Sequence, residues 1–291
     1  MIRGPAEGRP SFPEVNTMSK GFSVLYTILI NFIKKTRTHR SLILAMAVRE
    51  IEKRYIGTLG GLAWSIINPL MMILVYWFVF SVGFKIQPPG GIPFILIFLC
   101  GLIPWTLFNE TLIKNTEVIR ENSHLVTKTV FPTEILPLIN FIASLITHGI
   151  MMVILLVLMV ANGVAFDWIN FQFLFYLGAL SFFIFGLSWL LAALNVFYRD
   201  VGQILGVVLN LWFWLTPIVW LTDMIPAEHR WWLQLNPMTY IVTGYKNSFF
   251  YHIPFWEHPE SGVPFWGLSL VLFLAGGMIF RKLKPEFAEV L

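Results

Sequence analysis

The chain has 291 residues, of which 57% are hydrophobic and only 12% are charged, and its formal net charge is +4. A soluble domain carries about twice this charged fraction, so the composition excludes a sizeable soluble enzyme and indicates a membrane protein. The single cysteine, Cys100, excludes an intrachain disulfide and a cysteine-based metal cluster.

The amino-terminal part is the only long polar segment. Residues 1–20 combine three prolines, mixed charge and few apolar side chains, which predicts a disordered tail. Residues 21–56 hold two apolar-rich stretches that are too short to span a bilayer. The second stretch, Ser41–Tyr55, ends in charged residues and predicts an amphipathic helix at the cytoplasmic interface. The alternative is the first turn of a long first span, but the glycines at 57, 60 and 61 favour the interfacial helix.

Long stretches free of Asp, Glu, Lys and Arg follow. Because an α-helix rises 1.5 Å per residue, roughly 20 residues cross the hydrocarbon core. The sequence therefore predicts an all-α polytopic protein, with six transmembrane helices in a permease domain over residues 57–283 and a cytoplasmic tail over 284–291. The spans are expected near 62–84, 93–113, 136–161, 170–197, 201–222 and 261–280.

Two connecting regions are unusual. Charged residues at helical spacing continue from the second span to Glu121, so this helix is expected to extend into the cytoplasm. The stretch from Thr216 to Pro259, with the region expected to be re-entrant over about 223–256, is rich in Pro, Trp and Tyr, too interrupted to span and too apolar for an ordinary loop. It predicts a re-entrant external pair of short helices, which membranes tolerate only where the backbone is buried in protein or lines a cavity.

The basic residues are strongly asymmetric. Seventeen of the 20 Lys and Arg fall on one side of this topology, and only Lys85, Arg230 and Lys246 on the other. Basic residues stay in the cytoplasm, so both termini are expected there.

Several kinds of chemistry are absent from the sequence. No span carries a central carboxylate, Lys or Arg, as ion-coupled carriers usually do. His148 in the third span is a candidate proton relay, but a packed histidine is the favoured interpretation. No H-E-x-x-H motif or Gly-Lys dipeptide is present, so no catalytic residue, metal ligand or nucleotide-binding loop is predicted. If transport is driven by ATP, the ATPase is a separate chain.

Four short motifs occur in a characteristic order over about residues 40–283. They are Arg49–Tyr55 with Gly57–Gly60, Trp64 and Asn68–Leu70; Leu125–Pro137; Asn195–Val201; and Thr216–Ile218 with Asn236–Met238. In these segments the chain resembles the type-2 ATP-binding-cassette exporter permeases that move lipid-linked bacterial polysaccharides, the O-antigen (Wzm-type) and teichoic-acid permeases.

The resemblance implies a homodimer with two separate nucleotide-binding subunits, in the inner membrane of a bacterium, that exports an undecaprenyl-pyrophosphate-linked polysaccharide for lipopolysaccharide biosynthesis. ATP and Mg²⁺ would bind the partner ATPase, with no cofactor on this chain and no nucleic-acid partner. Coupling to the ATPase would use two cytoplasmic connections, for which the alternative is a solvated helix end. The coupling candidates are Glu117, Arg120, Glu121, Lys128, Tyr198, Arg199 and Asp200.

The aromatic content, 27 Phe, 12 Trp and 8 Tyr, suggests a path for a glycan, because sugar rings pack their C–H faces on aromatic rings. The alternative for any one of them is an interfacial belt or lipid contact. The path candidates are Tyr76, Trp77, Phe80, Trp212, Phe213, Trp214, Trp220, Trp231, Trp232, Tyr240 and Tyr245.

Basic residues near the first span suggest a site for the lipid pyrophosphate, since Arg and Lys pair with phosphate oxygens. The candidates are Arg49, Lys53 and Arg54, and positive-inside anchoring is the favoured alternative. Two other functions stay open: a related permease for teichoic acid, capsule, drug or lipid, and a membrane glycosyl- or acyltransferase.

Overall fold

A computed structural model of the chain describes residues 30, 32–55, 60–85, 91–128, 131–257 and 259–291. Within these ranges the protein is helical and contains no strand, in agreement with the predicted all-α class. The tail predicted over residues 1–20 lies outside the described residues. The helices are α1 Arg40–Tyr55, α2 Trp64–Trp77, α3 Phe94–Glu121, α4 Ser123–Lys128, α5 Leu136–Ala161, α6 Phe173–Phe197, α7 Asp200–Leu215, α8 Trp231–Leu235, α9 Pro237–Lys246, α10 Pro259–Leu283 and α11 Phe287–Val290.

Five helical segments in the described ranges are long and apolar enough to cross a membrane. They contain α2 with the π-helical turn Phe78–Gly83, α3, α5, α6 and α10, and they correspond to predicted spans one to four and six. The helix α7 corresponds to the fifth span but is shorter, at 16 residues. The count of six spans therefore stays a prediction.

The helix α7 ends at Leu215, and the prediction that it continues to about residue 222 is wrong. Thr216 is extended, with φ −99° and ψ 138°. The cause is Pro217, which lacks a backbone N–H and disfavours helical geometry in the residue before it. The chain then runs buried through Ile218 and Val219 instead of continuing towards the surface.

The helix α3 forms the centre of the bundle. In the most apolar stretch of α3, 83% of the residues are buried inside the protein, compared with 6% in the most apolar stretch of the segment that contains α2. It packs against α5, α6, α7 and α9. As predicted, it continues without a break to Glu121.

Helices α6 and α10 pack closely against each other through small residues. A Cβ added to Gly186 would lie 2.7 Å from the backbone nitrogen of Phe273, and one added to Gly276 would overlap the carbonyl oxygen of Gly186. Membrane helices associate largely through van der Waals contact, which this close approach of the two backbones increases.

The segment between α7 and α10 consists of short helices, as its prolines predicted. Helix α9 begins at Pro237, and its N-cap Asn236 accepts a hydrogen bond from the Met238 backbone N–H (3.0 Å). Met238 and Ile241 are fully buried where α9 packs on α3 and α6. Insertion of this segment into the outer leaflet stays a prediction.

Helix α1 is present at the position predicted for the interfacial helix. Ile43 and Ala47, four residues apart, are buried while most of the other α1 side chains are exposed. This narrow apolar stripe packs α1 on α5. The position of α1 at a membrane surface stays a prediction.

Candidate functional site

The two connections predicted to face an ATPase lie against each other. The Asn195 side-chain amide, near the end of α6, donates to the Thr116 carbonyl oxygen in α3 (3.0 Å). The Glu117 carboxylate lies so close to Gly202, in the first turn of α7, that an added Cβ would be 2.5 Å from Glu117 Oε1. A carboxylate is favoured at this position by the positive end of the helix dipole. We call this junction, together with the exposed residues Glu121, Tyr198, Arg199 and Asp200, the coupling face.

The other coupling candidates lie at the edges of this face. Arg120 pairs with Glu117 (3.5 Å), and the Glu121 side chain that ends α3 is exposed. Tyr198 and Arg199 form an exposed turn between α6 and α7, and Asp200, the first residue of α7, is also exposed. Lys128 is exposed at the end of α4, which packs on α11. The structure therefore brings both connections to one end of the bundle.

The carboxyl-terminal segment also reaches this end of the protein, which sequence reasoning missed. Phe287 is fully buried, with its ring 5.5 Å from that of Phe280 and 6.2 Å from that of Phe197. Helix α11 packs on both α4 and α6. The signal in the sequence was the single aromatic residue of a charged tail.

An ion cluster connects three distant parts of the chain next to this face. Glu134 Oε1 accepts hydrogen bonds from Lys35 Nζ (2.9 Å) and Lys284 Nζ (2.8 Å). The Trp189 indole N–H donates to the Glu134 carbonyl oxygen (3.3 Å). Charge-assisted hydrogen bonds of this kind are about twice as strong as neutral ones. They fasten the amino-terminal helical residues and the segment after α10 to the first connection.

The candidate residues for the lipid pyrophosphate lie near the end of α1. Arg49 and Lys53 are exposed, and the Arg54 side chain lies outside the described part of the protein. Glu50 contacts Lys114 (3.7 Å) and, more weakly, Lys53 (4.0 Å). This arrangement presents positive charge at the surface of α1.

The aromatic candidates occupy three different environments. Trp77, Trp214 and Trp231 are exposed. Tyr245 is fully buried, and its hydroxyl lies 3.4 Å from His148 Nε2. The remaining candidates are half-buried: Tyr76, Phe80, Trp212, Phe213, Trp220, Trp232 and Tyr240.

Aromatic side chains of α7 are held in place by contacts with the segment that follows this helix. The Trp212 indole N–H donates to Asn236 Oδ1 (2.8 Å), and its ring meets Phe108 edge-on at 5.3 Å. The Trp220 indole N–H donates to the Trp214 carbonyl oxygen (2.9 Å). The structure thus joins the aromatic end of α7 to the start of α9.

The described residues contain no group of three or more His, Cys, Asp or Glu side chains arranged to hold a metal ion. His148 is buried beside Tyr245 in a setting that fits the packed-histidine interpretation.

Comparison with known proteins gives consistent matches over most of the chain. A family profile described as ABC-2 type transporter matches residues 41–250. The chain is 30% identical over 264 residues to the O-antigen export system permease protein RfbA of Myxococcus xanthus, covering 90% of this chain and 99% of that protein. It is 28% identical over 252 residues to the protein of the same name in Klebsiella pneumoniae, covering 86% and 95% respectively.

Proposed function

The chain belongs to the ABC-2 type transporter family, and we propose that it is the permease subunit of an ATP-driven exporter of an undecaprenyl-linked O-antigen-type polysaccharide. Members of this family are transport permeases, so a multi-pass membrane protein without its own catalytic site is the appropriate starting point. The proposal places the protein in the inner membrane of a bacterium, with both termini in the cytoplasm.

The coupling face is the observation that carries the proposal. It joins the two connections through the Asn195–Thr116 hydrogen bond and the Glu117–Gly202 contact, and leaves an exposed charged edge at Glu121 and Arg199. A separate ATPase that docks on this edge would move α3, α6 and α7 together, because those helices are packed against one another. The central position of α3 then transmits the movement to α9 at the other end.

The cargo is inferred from the relatives, which are named as O-antigen export permeases. The half-buried aromatics around Trp212, Trp220 and Trp232 are chemically suited to a glycan, since aromatic rings offer apolar faces with polar edges. Arg49 and Lys53, exposed on α1, are suited to the pyrophosphate of the lipid carrier.

Two spans support a homodimer. In α2 only Ile73 is buried, and in α7 only Leu205 and Leu209 are buried. Both helices also carry exposed path candidates, Trp77 and Trp214. A second copy packed against these faces would enclose the aromatics between two subunits, which one subunit alone does not do.

The test is ATP hydrolysis by the chain purified with and without its candidate ATPase. We expect hydrolysis only when the ATPase copurifies, and we expect the paired charge reversals Glu121→Lys and Arg199→Glu to weaken that copurification. Lys282→Glu is the matched control, because Lys282 is exposed near the same end but lies outside both connections. Hydrolysis by the chain alone, or unchanged assembly in the reversal variant, would contradict the proposal.

The cargo is tested by deleting the gene and analysing lipid-linked glycans. We expect loss of the surface O-antigen and accumulation of its undecaprenyl-linked form inside the cell. Accumulation of teichoic acid or capsule precursors would leave the transport function intact and assign a different cargo.

A further inference from the structure

A cavity of about 240 Å³ lies between α6, α9 and α10, away from the exposed faces of α2 and α7. We call it the α9 cavity. A drug-sized ligand occupies a pocket of roughly 300–1,000 Å³. The α9 cavity is therefore suited to a single small ring rather than to a long acyl chain.

One wall of the α9 cavity is a stripe of polar side chains. Thr239 and Thr243 in α9 line it together with Asn247, the first residue of the π-helical turn that continues this helix, and their spacing of four residues places them on one face. Thr239 Oγ1 is buried and has no hydrogen-bond partner among the described residues. A buried hydroxyl without a partner costs about 1–3 kcal/mol, which a ligand that hydrogen-bonds to it would recover.

The lining of the α9 cavity also contains aromatic rings from α6, α9 and α10. The Tyr240 ring lies 5.3 Å from that of Tyr176 and 4.8 Å from that of Phe265, and all three line the cavity. Phe255 stacks on Phe175 at 4.2 Å. These contacts fix the rings before any ligand arrives, which reduces the entropy cost of binding.

The loop that carries Phe255 is also fixed by hydrogen bonds. Gln172 accepts from the Phe255 backbone N–H (2.9 Å) and donates to the Ile253 carbonyl oxygen (3.0 Å). Both ends of one amide side chain therefore hold this wall of the cavity against the start of α6.

The charge of the lining decides the class of ligand. Among the described residues that line the cavity, none is Asp, Glu, Lys or His, and Arg230 is the one charged side chain. Arg230 is already paired, since its guanidinium lies 3.6 Å from the Asp223 carboxylate and its Nε donates to the Ile225 carbonyl oxygen (2.9 Å). Hydroxyl and amide groups facing aromatic rings, without a free charge, fit a neutral ligand with an apolar face and several hydroxyls.

We propose that the α9 cavity binds one neutral sugar ring of the exported glycan in each subunit. This inference rests on the proposed function and adds a binding site within the subunit, beside the path that two copies would enclose. A ring held there would keep the emerging chain at the external end between cycles of the ATPase.

The test uses thiol labelling of the permease–ATPase complex in nanodiscs. Cys100, the single native cysteine, is fully buried and gives little background. Gln234→Cys places a reporter on the cavity wall without changing the polar stripe. The probe is lipid-free oligosaccharide released by acid from the cell's own surface glycan. At about nine times its Kd the probe leaves a tenth of the sites free, so we expect about tenfold slower maleimide labelling.

Two further variants sharpen the test. Glu228→Cys, at an exposed position outside the cavity, should label at the same rate with and without the probe. Adding Thr239→Val and Thr243→Val to the Gln234→Cys reporter should abolish the protection, because both hydroxyls are removed while the side-chain shapes are nearly kept.

Three results would overturn the inference. Absence of protection in a complex that still exports glycan would refute the cavity site and leave the proposed function standing. Protection by added phospholipid without the oligosaccharide would assign the cavity to a lipid. A parent complex that does not export glycan would remove the proposed function, and the cavity proposal with it.

Discussion

The close packing of α6 on α10 leads to a quantitative prediction for the free energy of unfolding. Gly186→Ala adds one methyl group where the two backbones are closest. The added Cβ would lie 2.7 Å from Phe273 N and 2.9 Å from the carbonyl carbon of Leu272. Both neighbours are backbone atoms, so no side-chain rotation can relieve the overlap and the two helices must separate.

The magnitude follows from the distances. Ordinary van der Waals contact begins near 3.4 Å, so the helices must separate by roughly 0.7 Å at this point. Overpacking of a well-packed interior typically costs about 1–3 kcal/mol. Alanine also gains about 1 kcal/mol in helix propensity over glycine. Gly178→Ala is the matched control, because Gly178 lies on the same helix and has no neighbour within 4 Å.

The propensity gain is common to both variants, so their difference isolates the packing cost. We expect the free energy of unfolding of the Gly186→Ala variant to be about 1–3 kcal/mol lower than that of the Gly178→Ala variant. Thermal unfolding of the detergent-purified protein, followed by tryptophan fluorescence, should show a midpoint lower by roughly 2–10 °C. Equal midpoints, or a higher one for Gly186→Ala, would refute this account of the α6–α10 contact.

Three other substitutions test features of the site. Trp220→Ala should reduce surface polysaccharide while leaving assembly with the ATPase intact, as cell-surface glycan analysis and copurification would show. Unchanged export would indicate that Trp220 belongs to the interfacial aromatic belt instead. Glu134→Gln should destabilise the protein by about 2 kcal/mol by thermal unfolding, because two charge-assisted hydrogen bonds are weakened, whereas the exposed Glu121→Gln should shift the midpoint little. Tyr245→Phe should leave glycan export near normal, because this side chain is buried beside His148; a large loss of export with normal stability would instead give the hydroxyl a direct role.

The sequence was sufficient to predict the bounds of those helices whose ends are marked by prolines or charged residues. Helix α5 covers Leu136–Ala161, as predicted for the third span, because the stretch is uncharged and carries Pro137 in its first turn. The α6–α7 turn was also predictable, since Arg199 and Asp200 are the only charged residues between Trp168 and Thr222.

Other features depend on contacts that local patterns do not encode. Glu134 meets Lys35 and Lys284 across 99 and 150 residues of chain, respectively. No periodicity relates those positions, and charge counting alone assigned them to one side of the membrane. The early end of α7 is marked in the sequence by Thr216-Pro217, where the interrupted stretch begins, although the uncharged run reaches residue 222 and the prediction still placed Trp220 in the fifth span.

The burial of the aromatic candidates also could not be predicted from local sequence patterns. Tyr245 and Trp231 were assigned together from residue type, yet the first is fully buried and the second is exposed. Burial depends on which face of each short helix meets α3 and α6. The prolines predicted where these helices stop, but they did not predict how they are oriented.

The ion cluster has a consequence for how the protein is made. During translation Lys35 emerges first, Glu134 next and Lys284 last, so the carboxylate has only one of its two lysine partners until α10 has been synthesised. Phe287 is delivered to its buried position at the same late stage. Residues 284–287 thus complete the end of the protein that we assign to ATPase docking. A ribosome-bound intermediate that lacks them would present an incomplete docking surface. Assembly with the ATPase before synthesis ends would therefore be disfavoured.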